Sequence, residues 1–203
     1  MEEVRLGESS LFVLPVVRGL PRDGAAVAKA IDEIRPEAVA VSISPEEVDA
    51  LRGYQGTPVG PENLEEEVYV AGLSAWEEPV KPPPCFTEAV RVAMDLGVRL
   101  EGLDLDEDAY TDAYTSAVST MELILQGRME SRLGRKKFRA QTPEEFVLEW
   151  DAEVNRTAGF ARLQKIREGH MASRLREIAQ DTKTVLAVIE VERAKGVLGA
   201  LRD

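Results

Sequence analysis

Residues 11–43 carry a strand, a helix and a second strand, and that alternation constrains the fold more than any other feature of the chain. LFVLPVV (11–17) is a short run of mostly branched apolar residues, of the kind that forms a buried strand. PRDGAAVAKAIDEIRP (21–36) places Val27, Ala30, Ile31 and Ile34 on one helical face and stops at Pro36. EAVAVSI (37–43) is the second strand. A strand, helix and strand within about thirty residues form a βαβ unit, with parallel strands and a right-handed crossover. Pro15 predicts an edge position or a bulge, because proline has no N–H to give to a ladder.

The rest of the chain repeats the alternation. SPEEVDALRG (44–53) opens a helix with Ser44 as cap, Pro45 at the first position and Glu47 three residues after the cap. After a loop at 53–63, an acidic helical turn around Glu65–Glu67 and a proline-rich connector at 77–84, FTEAVRVAMDLG (86–97) reads as a helix with Phe86, Val90, Ala93 and Met94 inward. VRLEGLDL (98–105) is a third strand. The spacing of Tyr110, Tyr114, Ala117, Met121 and Ile124 predicts one long helix from about Glu107. TPEE (142–145) is a second capping box, opening a helix with Phe146, Trp150 and Val154; Gly159 is expected to break or bend it. A further helix carries Leu163, Ile166, Met171, Leu175 and Ile178, and TVLAVIEV (184–191) is the fourth strand. The expected architecture is a single α/β domain over 1–203, with a small, mostly parallel central sheet flanked by helices and a long-helix excursion between the third and fourth strands.

Composition bounds the function. A net charge of −12 argues against general binding to nucleic acid or to an anionic membrane surface, both of which need surplus positive charge. The single cysteine, Cys85, excludes an internal disulfide. The N-terminal MEEVRLGESS is acidic and the apolar run after it is too short for a membrane span, so a cytoplasmic protein is expected.

In a parallel sheet, ligands bind at the carboxyl ends of the strands. Arg18, Ser42, Asp104 or Asp106, and Glu190 to Arg193 fall there. Two buried-looking strands thus each run out at an arginine.

The order and spacing of these strand ends resemble the TraB/PrgY family, and more distantly Tiki-type metalloproteases and the erythromycin-esterase-like and ChaN-like proteins. PVVR (15–18) stands where the family has Gly-Thr-x-His. RPEAVAVSI (35–43) and ALR (50–52) follow its Lys-Pro-Asp and Val-Glu-Leu layout. PPPCF (82–86) matches its proline-rich turn, LDLDED (103–108) its Asp-Arg-Asp-like strand end, IREGHMA (166–172) its Glu-Arg-Asp-x-x-Met helix, and EVER (190–193) its final Gly-Ala-Gly-His. The resemblance spans nearly the whole chain. It puts Arg18 and Arg193 at the two motif histidines and Ser42 at the strand-end glutamate, keeping Arg167 and Asp104. In metal-dependent relatives those positions hold or serve a divalent ion. A guanidinium is always protonated and donates only, so it cannot ligate a cation.

The resemblance therefore implies a domain without the family's metal site and without a cofactor, acting as a cytoplasmic binding or interaction module that pairs with a second copy through its long helices. Arg18, Ser42, Arg167 and Arg193 would gather around a small anionic ligand, unless the arginines are consumed by Asp104, Glu190 and Glu192. The alternative is a hydrolase using a rearranged carboxylate metal site at Asp104, Asp106, Glu190 and Glu192; a scaffold with no small-molecule site is a third reading.

Other motifs have plainer explanations. Cys85 opens a helix, where a thiolate is favoured, but reads better as a small buried apolar residue. His170, the one histidine, reads as a packed, hydrogen-bonded side chain. DLDEDAYTDAYT (104–115) has alternating acids but lacks the glycine and the final glutamate of a calcium loop, so its acids belong to a helix start. RMESRLGRKKFR (128–139) is strongly basic and is expected to be a solvated helix end and an arm lying on an acidic surface.

Overall fold

The computed structural model describes residues 1–56 and 60–202, without the side chains of 128–131. Its elements run β1 (Glu2–Leu6), β2 (Ser9–Val16), α1 (Pro21–Ile34), β3 (Ala38–Val41), α2 (Pro45–Arg52), α3 (Leu64–Leu73), α4 (Pro84–Leu96), β4 (Arg99–Gly102), α5 (Glu107–Ala117), α6 (Thr120–Leu133), α7 (Pro143–Val154), α8 (Ala158–Ile178), β5 (Thr184–Glu190) and α9 (Val191–Arg202). Among the described residues, no helix is long and apolar enough to cross a membrane.

The strands form one sheet in the order β1-β2-β5-β3-β4. Only β1 is antiparallel to its neighbour; the other pairs are parallel. The expected α/β fold, with its mostly parallel sheet and its helical excursion (α5–α8) before the last strand, is what the chain forms. The two strands of the first βαβ unit are nonetheless not neighbours. β5 lies between them, pairing with β2 through Leu11↔Val185 and with β3 through Val39↔Leu186. Its burial explains the placement: apart from Thr184, β5 is buried throughout, which suits the centre of a sheet covered on both faces. Pro15 lies in β2, an inner strand, but beyond Val13, the last residue that β1 reaches. Ser10 donates its N–H to Lys183 on the β5 side, so by alternation position 15 faces the other side, where no strand asks for a donor.

Helices cover both faces. One face carries Leu11, Val13, Ala187 and Ile189 against Met171, Leu175 and Ile178 of α8 and Val197 and Leu201 of α9. The opposite face carries Val16, Val39, Leu186 and Val188 against Val27 and Ile31 of α1 and Phe86, Ala89 and Ala93 of α4. A third cluster sits past the end of β2, where Val17 and Leu20 meet Tyr69 and Leu73 of α3, Leu133 of α6 and Phe146 and Trp150 of α7. This cluster carries the excursion out over the carboxyl edge of the sheet.

The structure corrects several expectations. The strand β1 is missing from the sequence reading because EEVRL looks like an acidic tail; its Val4 and Leu6 alternate with charged residues and pack on the sheet's first core. The long helix from Glu107 is two helices, broken at Val118 and Ser119. Ser119 caps α6 with a full capping box, its hydroxyl accepting from Glu122 N–H and its N–H donating to the Glu122 carboxylate. Met121 and Ile124 are consequently exposed, as are Met94 and Ile166, so their helical spacing marks a shared face but not a covered one. At TPEE, Thr142 does cap α7, but the Glu145 carboxylate takes the Gln141 N–H instead of closing the box. Gly159 does not break a helix: α7 has already ended at Asn155, and Gly159 lies in the first turn of α8.

What Gly159 does is admit a close approach. A Cβ there would lie 2.8 Å from the Ala117 carbonyl oxygen and 2.5 Å from a Glu122 oxygen, and its N–H donates to Glu122. Gly159→Ala is therefore expected to destabilise the fold by about 1–3 kcal/mol, despite alanine's better helix propensity. Urea unfolding of the variant checks this; unchanged or higher stability would show that the α5–α6 junction is free to move away from α8.

Candidate functional site

The register of β2 against β5 pairs Val16 with Glu190. Arg18 follows Val16 by two residues and Glu192 follows Glu190 by two, so both chains leave the sheet side by side with opposite charges. β5 passes into α9 at Val191 with no loop. Above this edge lies a cleft of about 550 Å³, roofed by α3 and by the excursion helices α5–α8. Arg18, Arg167, Arg193, Glu190 and Glu192 all line it, so five of the residues expected at the site do meet at one cleft.

The three arginines are engaged to different degrees. Arg193 is buried and bridges two helices of the excursion, its Nη2 paired with Asp151 of α7 and its Nη1 with Glu168 of α8 at 2.9 Å. Glu168 reaches it because α9 has a glycine at 196; a Cβ there would sit 2.1 Å from the Glu168 carboxyl carbon. Arg167 forks onto Asp104, its Nε 3.0 Å from Oδ2 and its Nη2 on the same oxygen, while Nη1 donates to Gln164 at 2.8 Å. Arg18 is the open one. Its Nε lies 3.0 Å from Glu190 Oε1 but off the N–H axis, making an ion pair without a hydrogen bond, and its Nη2 is 3.8 Å from Glu192 Oε1. Its guanidinium lies over the Tyr69 ring, 5.4 Å from the centroid, and Tyr69 Oη donates to the Arg18 carbonyl at 3.1 Å.

Charge is unevenly balanced. Glu190 and Glu192 share one paired arginine, Arg18, while Arg167 is near enough to feel the Glu190 charge; the Glu192 side chain is only 5% exposed. Burial, reinforced by the Glu190 carboxylate, pushes Glu192 up to about 7; Arg18 and the helix-start N–H of Glu192 itself oppose the shift, and Asp151 adds to it. On Arg18, burial disfavours the charge, but Glu190 and Glu192 outweigh it and hold the guanidinium protonated more firmly than in water. Glu168 is likewise raised, by burial first and Asp151 next, against Arg193.

Other expected residues lie elsewhere. Ser42 is buried and not part of the cleft wall: its hydroxyl accepts from Glu190 N–H at 3.0 Å, extending the ladder one step past β3 where β5 turns into helix. Asp106 is the exposed cap of α5, accepting from Ala109 N–H at 2.8 Å, with Glu107 and Asp108 in the first turn, as the helix-start reading expects. Asp104 is held against Arg167 beneath the cleft. Cys85 is fully buried under α1, and burial, aided by Glu190 and Asp23, raises its thiol well above the ordinary value. That disfavours a thiolate nucleophile. His170 is half-buried on α8, away from the cleft. In the basic segment, Lys136 pairs with Glu153 of α7, an arm lying on the chain's own acids; the side chains of 128–131 lie outside the described residues. Sequence reasoning missed Asp151, Trp150 and Gln126 as cleft residues, and Glu168 and Tyr69 as partners of the cleft arginines, because each reads locally as an ordinary helix position.

Among the described residues, no three His, Cys, Asp or Glu side chains come together in a way that could hold a metal ion. No family model matches the chain, and no curated protein is significantly similar to it.

Two outcomes test this geometry. Arg193→Ala leaves Asp151 and Glu168 facing each other unpaired and is expected to cost about 3–5 kcal/mol in urea unfolding, with part recovered by Asp151→Asn and Glu168→Gln together. A loss under about 1 kcal/mol would mean that the bridge is dispensable. Glu192 titrates near pH 7 folded and near 4.5 unfolded, so the folded state binds the extra proton in that window. Stability therefore falls as pH rises from 4.5 through 7, by about 3 kcal/mol in all. Glu192→Gln lacks this fall, and its melting temperature should exceed that of the parent at pH 8 and converge with it near pH 4. Parallel pH profiles for the two proteins would rule out Glu192 as the titrating group.

Proposed function

We propose that the chain is a TraB-like domain working as a cytoplasmic binding module, which takes the anionic end of a small ligand at Arg18. One observation carries this reading: of the three cleft arginines, Arg18 alone combines an open side chain, 37% exposed, with N–H groups that donate no hydrogen bond among the described residues. Arg167 and Arg193 serve as internal cations that neutralise Asp104, Asp151 and Glu168 and hold the walls in place. An incoming carboxylate or phosphate displaces only the loose 3.8 Å pair with Glu192 to reach the Arg18 fork. For the expected second copy, the outer face of α6 offers exposed Met121 and Ile124. The hydrolase reading draws less support, since Asp104 and Asp106 are occupied with Arg167 and with the α5 cap.

Calorimetry with phosphate, sulfate and citrate tests the reading. At least one is expected to bind, more tightly at pH 6 than at pH 8, because protonated Glu192 no longer competes for Arg18 or repels the anion. Arg18→Gln should abolish the binding. Anion binding that survives in this variant would place the site elsewhere.

A further inference from the structure

We infer that the ligand of this cleft is a small zwitterion, amino-acid-like, carrying an ammonium or similar N–H cation beside its acidic group. The inference rests on the binding-module reading above and adds the second half of the ligand.

Its basis is a set of buried polar atoms that have no partner among the described residues. Glu192 Oε2, Gln126 Oε1 and Trp150 Nε1 are each unpaired, and all three residues line the cleft. The Glu192 side chain is 5% exposed, and Gln126 and Trp150 are 9% and 8% exposed. Such atoms are expensive to leave unsatisfied. The orientation of the Gln126 amide is fixed by what it touches: Nε2 donates to Glu65 Oε1 at 3.0 Å and to the Val154 carbonyl at 3.3 Å. Both partners accept only, so the amide cannot be turned over, and its oxygen is a true unused acceptor.

The unpaired atoms fall into two kinds. The indole N–H of Trp150 and the N–H groups of Arg18 want an acceptor. They share a wall, because Trp150 lies edge-on to Tyr69, with ring centroids 5.0 Å apart, and Arg18 lies over the same ring. Glu192 Oε2 and Gln126 Oε1 want a donor. A simple anion answers the first pair, leaves the second unsatisfied and adds negative charge beside Glu190 and Glu192. A simple cation answers the second pair and meets Arg18. A molecule with both groups offers a partner to each kind and brings no net charge into a region where Glu190 and Glu192 share Arg18 as their paired arginine. The cleft volume, about 550 Å³, is within the range of small-molecule sites.

The test is calorimetry at pH 7.5 with matched probes: γ-aminobutyrate against butyrate and n-butylamine, and L-leucine against 4-methylpentanoate and isopentylamine, with phosphate alongside. The expected result is that at least one amino acid binds roughly tenfold or more tightly than both its one-charge counterparts, the ratio typical of a charge-assisted hydrogen bond. Glu192→Gln should bring its affinity down to that of the plain carboxylate, and Gln126→Leu should weaken it as an independent variant; melting curves establish that both are folded. Carboxylates binding as tightly as amino acids, unaffected by Glu192→Gln, would overturn the zwitterion while leaving the anion site intact. Phosphate binding with no response to either amino acid would do the same. Silence from every probe, phosphate included, would overturn both readings.

Discussion

A chain that leaves its sheet after β4 and wanders through four helices must be tied down when it comes back, and the tie is the guanidinium of Arg193. It stands in the first turn of α9, immediately after the central strand, so its position relative to the sheet is set by β5 itself. Its two nitrogens hold Asp151 of α7 and Glu168 of α8, and it is 4% exposed. Buried ion clusters of this kind contribute less to stability than to choosing one arrangement among several apolar packings of similar energy. That role suits this place. Among the described residues, α5 and α6 present few buried side chains of their own, and the helices over the cleft need something directional to define their seat.

The same requirement shapes the cleft. With Arg193 and Arg167 hydrogen-bonded to acids of the helices and of the β4–α5 turn, Arg18 is the arginine paired with Glu190 and Glu192 among the described residues. The start of α9 helps by offering Glu192 its own N–H and the positive end of a dipole. It does not fully compensate, and a proton on Glu192 near neutrality is how the region relieves the excess. Residues that break the ordinary rule of satisfied burial tend to sit where a protein meets something else. Among the described residues, Arg18, Glu192, Gln126 and Trp150 border a single opening, and only the buried hydroxyl of Ser9, at the far end of β2, lies apart from them.

How much of this was legible depends on whether the physics was local. The capping box at Ser44, the βαβ alternation and the buried runs of β2, β3 and β5 are short-range patterns, and they yielded the fold class and the edge on which the cleft lies. Strand order was not legible, because nothing in TVLAVIEV says that it inserts between two strands already joined by a helix. Helical periodicity assigned Met121 and Ile124 to a face, yet whether a face is covered depends on elements far along the chain. The Ser119–Glu122 capping box, which divides the expected long helix, is a local signal that the periodicity of the flanking apolar residues masks. The arginines at the strand ends were found from position alone, as were Asp104, Glu190 and Glu192. Asp151 and Glu168 were not, since an acid on an exposed-looking helix turn gives no sign that it will meet an arginine at the end of β5.

On the TraB-like reading, arginines stand where histidines would serve a bound cation, and the surroundings show what such an exchange demands. An arginine cannot accept from a metal, but it can replace one: it brings its own positive charge, and the acids that would have faced an ion face it instead. Each cleft arginine has its carboxylates, Glu190 and Glu192 for Arg18, Asp104 for Arg167, Asp151 and Glu168 for Arg193. A cation that is part of the chain is held in place by the backbone and acts through its hydrogen-bond donors instead of through open coordination positions. Acids still outnumber their paired arginine at the open end, and a proton on Glu192 offsets the excess near neutrality; on the zwitterion proposal the cationic group of the ligand would do the same. On that proposal the proton and the ligand's cation compete for one carboxylate, so ligand capture and the titration of Glu192 are linked.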